Sequence, residues 1–392
     1  MERRTNADEG DGLMKLNCNS FRHARTLLAG AVAFIIAPLL GGTDLAHSAD
    51  QLHIAMNMPL TGPIAEAIIP FRDAFLMGLD DGAKEFNVPR DALVTDIEDN
   101  AGEPKQAVTI MQKQFLNPVD VYVSSASAET AAIVKEVDAK KIPHFMFAFE
   151  AFLTRGFTDR LRINPHFKIS GPLYVKWAMA RHAKRVALVY LNYAAFHEMY
   201  GEIVIPEMKK SGMEVTTQSF DMGTKDYSTL ALKVADFKPD VIILDGFAFH
   251  LRPLIEALRT LDLIHNGNTM AGIDFVEMLH DKTTPVAETK GIAFVTPDTG
   301  LPEGMKRVAD WNKRFQDPFK LDPGTYGAYG YDTARVLVAA YAKEHKVTTD
   351  TIRAVLPFDG LVGKINLDKD GDIEDTMGIG VVNDAGGVED FK

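Results

Sequence analysis

The fold class is decided by the stretch VYVSSASAET, residues 121 to 130. Its first three residues are typical of a short buried strand, and apolar residues at helical spacing follow it. Ser124, Ser125 and Ser127 lie where the strand gives way to the helix. Ligands of open parallel sheets bind at this edge, where a helix N-terminus presents unpaired backbone N–H groups. The three hydroxyls therefore either form a cradle for a carboxylate or amide, or cap the helix.

The same alternation of apolar run and helical pattern extends along the rest of the chain. It predicts an α/β fold made of two doubly wound parallel sheets, because helices that separate successive strands place those strands parallel. The 392 residues, 46% of them apolar, are long enough for about two cores of roughly 150 residues each. The predicted strands are LHIAMNM, LVTDIED, DVYVSS and IPHFMFAF in the first core and RVALVYL, EVTTQSF, DVIILDG, NTMAG and GIAFVTP in the second.

Three local features of the sequence carry further expectations. Gly78 and Gly82 in the first helical pattern predict a close approach of that helix to a sheet. Pro104 suits the first turn of the second helix, where its missing N–H would be unpaired anyway. DKDGD, residues 368 to 372, is predicted to be a tight hairpin turn, since its glycine comes too early for a calcium loop.

The N-terminus has the pattern of a secretory signal peptide, residues 1–49. A basic segment precedes LLAGAVAFIIAPLL, and the small residues of LAHSA follow as a cleavage region. The apolar run of about 14 residues is short for a membrane span. The acidic start MERRTNADEGDGL favours Met14 as the initiator. Cys18, the only cysteine, falls in this leader, so we expect the exported chain to contain no disulfide.

Composition and motifs argue against several classes of function. A net charge of −12 without a basic block predicts no nucleic-acid partner. The signatures of phosphate loops, dinucleotide folds, hydrolase elbows and zincin helices are all missing from the sequence. The eleven histidines are scattered rather than clustered. We therefore expect no enzyme activity, no cofactor and no metal.

The chain resembles the type I periplasmic binding proteins, specifically the leucine/isoleucine/valine-binding branch that serves ABC importers. No single segment decides this, but the matching segments occur in the order typical of the family, from Leu52 to the C-terminus. They are MPLTGPIAEAIIPFRDAFLMGLDDGAKEF, IEDNAGEPKQAVTIMQKQF, VSSASAETAAIVKEVDAKKIP, LTRGFTDRLRINP, RVALVYLN, KDYSTLALKVADFKPDVIILDG, TYGAYGYDTARVLVAAY and FDGLVGKINLDKDGDI.

This resemblance implies two lobes joined by three crossover segments, with the ligand held between them. The crossovers are expected near Arg162 to His166, Val295 to Thr299 and Asp375 to Gly378. Lobe one is then 50–164 plus 299–376, and lobe two is 165–298 plus 377–392. The expected protein is a periplasmic monomer that captures a small-molecule ligand and presents it to the membrane permease subunits of an ABC importer.

The resemblance also implies site residues. Ser124, Ser125 and Ser127 match the run of hydroxyls that holds the carboxylate of amino-acid ligands. The other expected ligand-binding residues follow later strands: Ala148, Phe149 and Glu150 after the next strand, Tyr193, Phe196 and Phe247 as aromatic walls in lobe two, and Asp274 as the acid for an ammonium group.

Two departures from the family pattern affect the expected ligand. FMFAFEAFLTRG has no threonine before Thr154, and Ala67 and Ile68 stand where amino-acid binders often have a tyrosine. Asp274 could equally belong to a loop turn or a helix cap. The expected ligand is therefore an aromatic or apolar carboxylate, or else a branched-chain amino acid. The alternative is an extracytoplasmic sensor or an amide-binding regulator on the same scaffold.

Overall fold

The computed structural model describes residues 51–265, 267–280, 284–374 and 377–392. The predicted signal peptide, with Met14 and Cys18, lies outside the described residues. None of the described helices is both long and apolar enough to cross a membrane. The described chain is an α/β protein with two main sheets, and we call each sheet with its helices a lobe.

The sheet of lobe one has five strands that all run parallel, in the order β2-β1-β3-β4-β5. Its central strands are buried on both faces, which explains their continuous apolar sequences. The strands are β1 (Leu52–Met58), β2 (Leu93–Asp99), β3 (Val121–Ser125), β4 (His144–Phe147) and β5 (Arg160–Leu161). The helices between them are α1 (Ala65–Glu85), α2 (Pro104–Gln114) and α3 (Ser127–Asp138). Pro104 lies in the first turn of α2, as predicted.

The sheet of lobe two has seven strands in the order β14-β13-β10-β9-β8-β6-β7. Five of them run parallel: β6 (Arg185–Leu191), β7 (Glu214–Phe220), β8 (Val241–Asp245), β9 (Thr269–Ala271) and β10 (Ala293–Pro297). The helices are α4 (Gly171–Ala180), α5 (Ala194–Met199), α6 (Ile205–Lys210), α7 (Ser228–Phe237), α8 (Ala248–Thr260), α9 (Phe275–His280) and α10 (Val286–Thr289). A π-helical turn, Tyr200–Val204, joins α5 to α6.

The last two strands of this sheet run antiparallel to their neighbours, which the strand–helix alternation did not predict. They are β13 (Met377–Val382) and β14 (Val388–Asp390). A turn closed by the Asn383 N–H bond to the Gly387 carbonyl joins them, so no helix intervenes to turn the chain round.

The C-terminal third of the chain returns to lobe one through α11 (Pro302–Phe319), α12 (Gly324–Glu344) and α13 (Thr349–Arg353). A small hairpin, β11 (Phe358–Gly360) and β12 (Gly363–Ile365), follows. The predicted turn in DKDGD is confirmed: Leu367 and Ile373 form an antiparallel bridge, and Gly371 has a φ of +81°.

The close approach predicted for Gly78 and Gly82 is made to a helix, not to a sheet. A Cβ on Gly78 would lie 2.4 Å from the Tyr331 carbonyl oxygen, and one on Gly82 would lie 3.1 Å from Val338 Cβ. Both neighbours belong to α12, which packs along α1. The sequence prediction was wrong about the partner because α12 comes from a segment about 250 residues further along the chain.

Two of the segments predicted as crossovers, the second and the third, lie side by side, and the first pairs with residues just before the predicted bounds of the third. Arg162 forms a parallel bridge with Asp372, and its N–H bonds to the Gly371 carbonyl at 2.8 Å. Pro297 at the end of β10 pairs with Met377 at the start of β13. The lobes are therefore connected by extended segments that are hydrogen-bonded to one another, while the exact lobe bounds stay a prediction.

Candidate functional site

Ser124 lies inside lobe one and not at its surface. Its hydroxyl is 2.9 Å from Thr130 Oγ1 and 2.7 Å from His144 Nε2, and all three side chains are buried. Burial lowers the pKa of His144 to about 3, so the ring is neutral at physiological pH. Because its bonding is satisfied between β3, α3 and β4, Ser124 holds these elements together.

Ser125 and Ser127 lie at the carboxyl end of β3, on either side of a backbone turn. Ala126 between them has a φ of 66°, and its N–H bonds to the Phe147 carbonyl. Ser127 Oγ accepts a hydrogen bond from Phe149 N at 3.3 Å. Ser125 Oγ is buried without a hydrogen-bond partner among the described residues. The turn thus brings the start of α3 against the loop after β4.

The loop after β4 holds the predicted residues Ala148, Phe149 and Glu150, and all three are buried. The Ala148 carbonyl accepts hydrogen bonds from Arg162 Nη1 and Asn164 Nδ2, each at 3.0 Å. Burial raises the pKa of the Glu150 carboxyl, and a hydrogen bond from the Ser127 side chain opposes this rise. The structure therefore places an acid directly beside the serine run.

The predicted aromatic residues form a stack that connects the two lobes. Phe149 stacks on Phe167 with ring centroids 4.4 Å apart, and Phe167 stacks on Phe196 at 4.7 Å. Tyr193 lies edge-on to Phe247 at 6.1 Å, and its hydroxyl lies beside Ser127 of lobe one. The sequence patterns did not mark Phe167, which lies in a 3-10 turn after the first crossover.

Asp274 lies in the loop after β9 and is 3% exposed. Tyr326, in the first turn of α12, donates a hydrogen bond from its hydroxyl to Asp274 Oδ1 at 2.8 Å. Burial raises the pKa of Asp274 to about 8, against this hydrogen bond. The neighbouring Thr325 N–H donates to Glu277 Oε1 at 2.8 Å. These two bonds join lobe one to lobe two directly.

A cavity of about 530 Å³ lies between the lobes beside these bonds. It includes two predicted residues, Phe247 and Asp274, whereas the predicted serines and Glu150 are not among its lining residues. Its walls come from the start of α1, from α8 and α9, and from the loop before α12. The remaining lining residues are Glu66, Ala67, Pro70, Ala248, Phe249, Arg252, Pro253, Glu277, Met278, His280, Thr284, Leu321, Asp322, Pro323 and Tyr326.

Sequence reasoning missed most of these lining residues. Phe249 follows Phe247 by two positions, and Tyr326 lies in a segment that the resemblance included, so the sequence contained an indication of both residues. His280 and Asp322 had none, because only the fold brings α9 next to the loop before α12. Their side chains lie 3.3 Å apart, and hydrogen bonds and charge from Asp322 and Glu277 raise the pKa of His280 to about 10 although burial opposes this.

The fold and the cleft define a two-lobed α/β binding protein. The family model described as "Periplasmic binding protein" matches residues 51–387. The chain therefore belongs to the periplasmic binding protein family, and it is a binding protein rather than an enzyme.

Two curated relatives support the leucine/isoleucine/valine-binding branch. The Leu/Ile/Val-binding protein BraC3 of Rhizobium johnstonii is 26% identical over 253 residues, which are 63% of this chain and 66% of the relative. The Leucine-, isoleucine-, valine-, threonine-, and alanine-binding protein of Pseudomonas aeruginosa is 22% identical and covers 87% of this chain and 92% of the relative.

Solved structures share the fold. A solute binding protein of an ABC transporter from Rhodopseudomonas palustris, in complex with 3,4-dihydroxy benzoic acid, superimposes with a TM-score of 0.75 at 18% identity and covers 87% of this chain and 96% of that one. The branched-chain amino acid binding protein LivJ of Streptococcus pneumoniae, in complex with isoleucine, has a TM-score of 0.73 at 17% identity, with coverages of 87% and 99%.

Proposed function

We propose that this chain is the periplasmic solute-binding protein of an ABC importer and that it captures a small organic ligand between its lobes. The observation that carries the proposal is the cavity of about 530 Å³ whose walls come from both lobes. This size falls in the range of small-molecule sites, which bury most of the ligand's surface. A ligand that contacts both walls stabilises the closed arrangement over any open one.

The chemistry of the walls indicates the kind of ligand. Phe247, Phe249 and Met278 supply apolar and aromatic surface, while Asp274 and Arg252 supply polar groups that fix orientation. Such a wall suits an aromatic or apolar carboxylate, or a branched-chain amino acid. The relatives named for leucine, isoleucine and valine, and the neighbours holding isoleucine or a dihydroxybenzoic acid, support the same range.

In this proposal the transporter recognises the closed form of the protein. Tyr326 and Asp274 come from different lobes, so their hydrogen bond stabilises the arrangement in which the lobes are close. We infer that a monomer in this form presents the ligand to the permease subunits in the membrane. No covalent step is needed, and the net charge of −12 supports no nucleic-acid partner.

A thermal-shift screen tests the proposal. The purified protein is heated with leucine, isoleucine, valine, benzoate or 4-hydroxybenzoate, each at increasing concentration. A ligand present at 100 times its Kd stabilises the folded form by about 2.7 kcal/mol, which raises the unfolding midpoint. Solution scattering on the best compound should then show a smaller radius of gyration. The proposal fails if every small organic compound of these classes leaves the midpoint unchanged, or if the best compound is turned over.

A further inference from the structure

One polar group in the cleft region has no partner that explains its burial. Glu150 is 2% exposed, and its Oε2 atom has no hydrogen-bond partner among the residues that the structure describes. A buried polar oxygen left without a hydrogen bond costs about 1–3 kcal/mol, and more when it is charged. Groups of this kind are rare in folded proteins, and they concentrate at functional sites.

The surroundings of Glu150 point to the cleft. Ser127, at the start of α3, and Tyr193, from lobe two, are its polar neighbours, and Ser127 lies between the two. We call Ser127, Glu150 and Tyr193 the polar end of the cleft; they adjoin the cavity without lining it, because the Tyr193 ring lies 6.1 Å from the ring of Phe247, a cavity residue. The polar end thus combines side chains from both lobes, as a site that closes on a ligand requires.

The positive charges near the polar end are already matched by other acids. Arg162 forms an ion pair with Asp372 and donates a hydrogen bond to the backbone carbonyl of Glu150, while burial raises the pKa of the Glu150 carboxyl more than the charge of Arg162 lowers it. Lys168 pairs with Glu198 and Glu202, and the Glu198 carboxylate itself raises the pKa of Glu150. Glu150 is therefore an acid in excess of the local cations.

The N-terminus of α3 does not compensate the negative charge of a ligand carboxylate placed beside Glu150. The first turn of α3, a helix of 12 residues, favours one negative charge through its unpaired N–H groups. Glu150, whose carboxyl lies beside Ser127 in that turn, already occupies the position that an anion would take. A ligand carboxylate placed here would stand beside a buried acid, and two carboxylates that share a site repel each other.

We propose that Glu150 makes the polar end select a hydrogen-bond donor of the ligand, an ammonium, amide N–H or hydroxyl group, and reject a carboxylate. This rests on the proposed function and refines it. A ligand that also carries a carboxylate binds with that group directed away from Glu150. The serine run then differs from the carboxylate cradle that the sequence suggested, because the protein's own side chain takes the place of the ligand carboxylate.

Pairs of compounds that share the same apolar group and differ only in the polar group test this selectivity. Isothermal titration calorimetry compares benzamide with benzoate, and 4-methylpentanamide with 4-methylpentanoate, on the wild-type protein. We expect each amide to bind about tenfold or more tightly than its carboxylate, the scale of one charge-assisted hydrogen bond. In Glu150→Gln the ratio should shrink by about tenfold. Glu303→Gln, the same change at an exposed position that pairs with the exposed Lys306, should leave the ratio unchanged.

The following outcomes would overturn the proposed selectivity of Glu150. A wild-type preference for the carboxylates, or a ratio that Glu150→Gln does not alter in a folded protein, overturns the selectivity while the proposed function stands. If Glu150→Gln does not fold, the wild-type ranking alone decides. If leucine or 4-hydroxybenzoate binds in the thermal-shift screen and none of these four probes does, the assigned donor preference is overturned. If no probe of either set binds, the proposed function fails as well.

Discussion

Arg162 and Asp372 form an ion pair in the interior, with 2.7 Å between Nη2 and Oδ1, although 210 residues separate them. The Arg162 side chain is fully buried, and its Nη1 also donates to the carbonyls of Ala148 and Glu150. Thr154 Oγ1 completes the cluster, 2.9 Å from Arg162 Nη2 and from Asp372 Oδ1. One guanidinium therefore ties the segment predicted as the first crossover and the turn that holds Asp372 to the loop that carries Glu150.

Asp372→Ala should strongly destabilise the protein because it leaves the Arg162 guanidinium buried without a counter-charge. We expect the free energy of unfolding to fall by about 3–5 kcal/mol. Urea denaturation at pH 7 measures this fall. Glu303→Ala is the control, since it breaks an exposed ion pair with Lys306 and should produce no measurable change. Equal effects of the two substitutions would contradict the assignment of Arg162 and Asp372 as a structural pair.

The buried acid Asp274 should make stability depend on pH. Burial raises the pKa of Asp274 to about 8 from an ordinary value of 3.8, so between these values the folded form binds a proton that the unfolded chain releases. The stability that this proton contributes is complete below about pH 4 and is lost as the pH rises to about 8. Asp274→Asn should therefore reduce the loss of unfolding free energy between pH 5 and pH 8.

The measurement for Asp274 is urea denaturation at both pH values, with the exposed Asp310→Asn as the control. Asp245, whose pKa burial raises to about 7, contributes a loss of the same sign and remains in both variants. The slope with pH should thus become smaller in Asp274→Asn without vanishing. An unchanged slope would show that Asp274 is ionised in the folded protein at neutral pH.

Much of the fold could be predicted from sequence because its signals are local. Apolar runs such as Val121 to Ser125 are buried on both faces of a parallel sheet, so they stand out from the helical patterns between them. The antiparallel direction of β13 and the contact of α1 with α12 depend on segments far apart in the chain. No local pattern records such pairings.

The candidate site was less predictable for a related reason. The type of residue at a strand end shows that a polar side chain is near the cleft, but not which way it points. Ser124 and Ser127 are three residues apart, yet one hydroxyl bonds to His144 inside lobe one and the other faces Glu150. The alternation of side chains along β3 and the positive φ of Ala126 separate them.

Gly272, just after β9, should be intolerant of a side chain. A Cβ there would lie 1.5 Å from Asp245 Oδ1, and that carboxyl is fixed by hydrogen bonds from the Tyr174 and Tyr200 hydroxyls. Gly272→Ala should therefore lower the free energy of unfolding by about 1–3 kcal/mol or more. Gly201→Ala is the matched control, because its Cβ meets no atom within 4 Å and alanine favours a helical turn. A thermal midpoint lowered equally in both variants would contradict this prediction.

Substitutions of Phe196 and Phe249 should have different effects, because Phe196 belongs to the contact between the lobes and Phe249 to the wall of the ligand cavity. Phe196 is 3% exposed and stacks on Phe167, so Phe196→Ala should cost about 3–5 kcal/mol of unfolding free energy through the void it leaves. Phe249 is 41% exposed and lines the cavity, so Phe249→Ala should change the unliganded midpoint little while weakening the best compound of the thermal-shift screen. Calorimetric titration and urea denaturation on both variants measure the two effects.

A different outcome for Phe196→Ala would contradict this assignment. If Phe196→Ala leaves stability intact and removes only ligand binding, Phe196 belongs to the ligand site, as the sequence first suggested. The aromatic stack is then not the structural contact between the lobes.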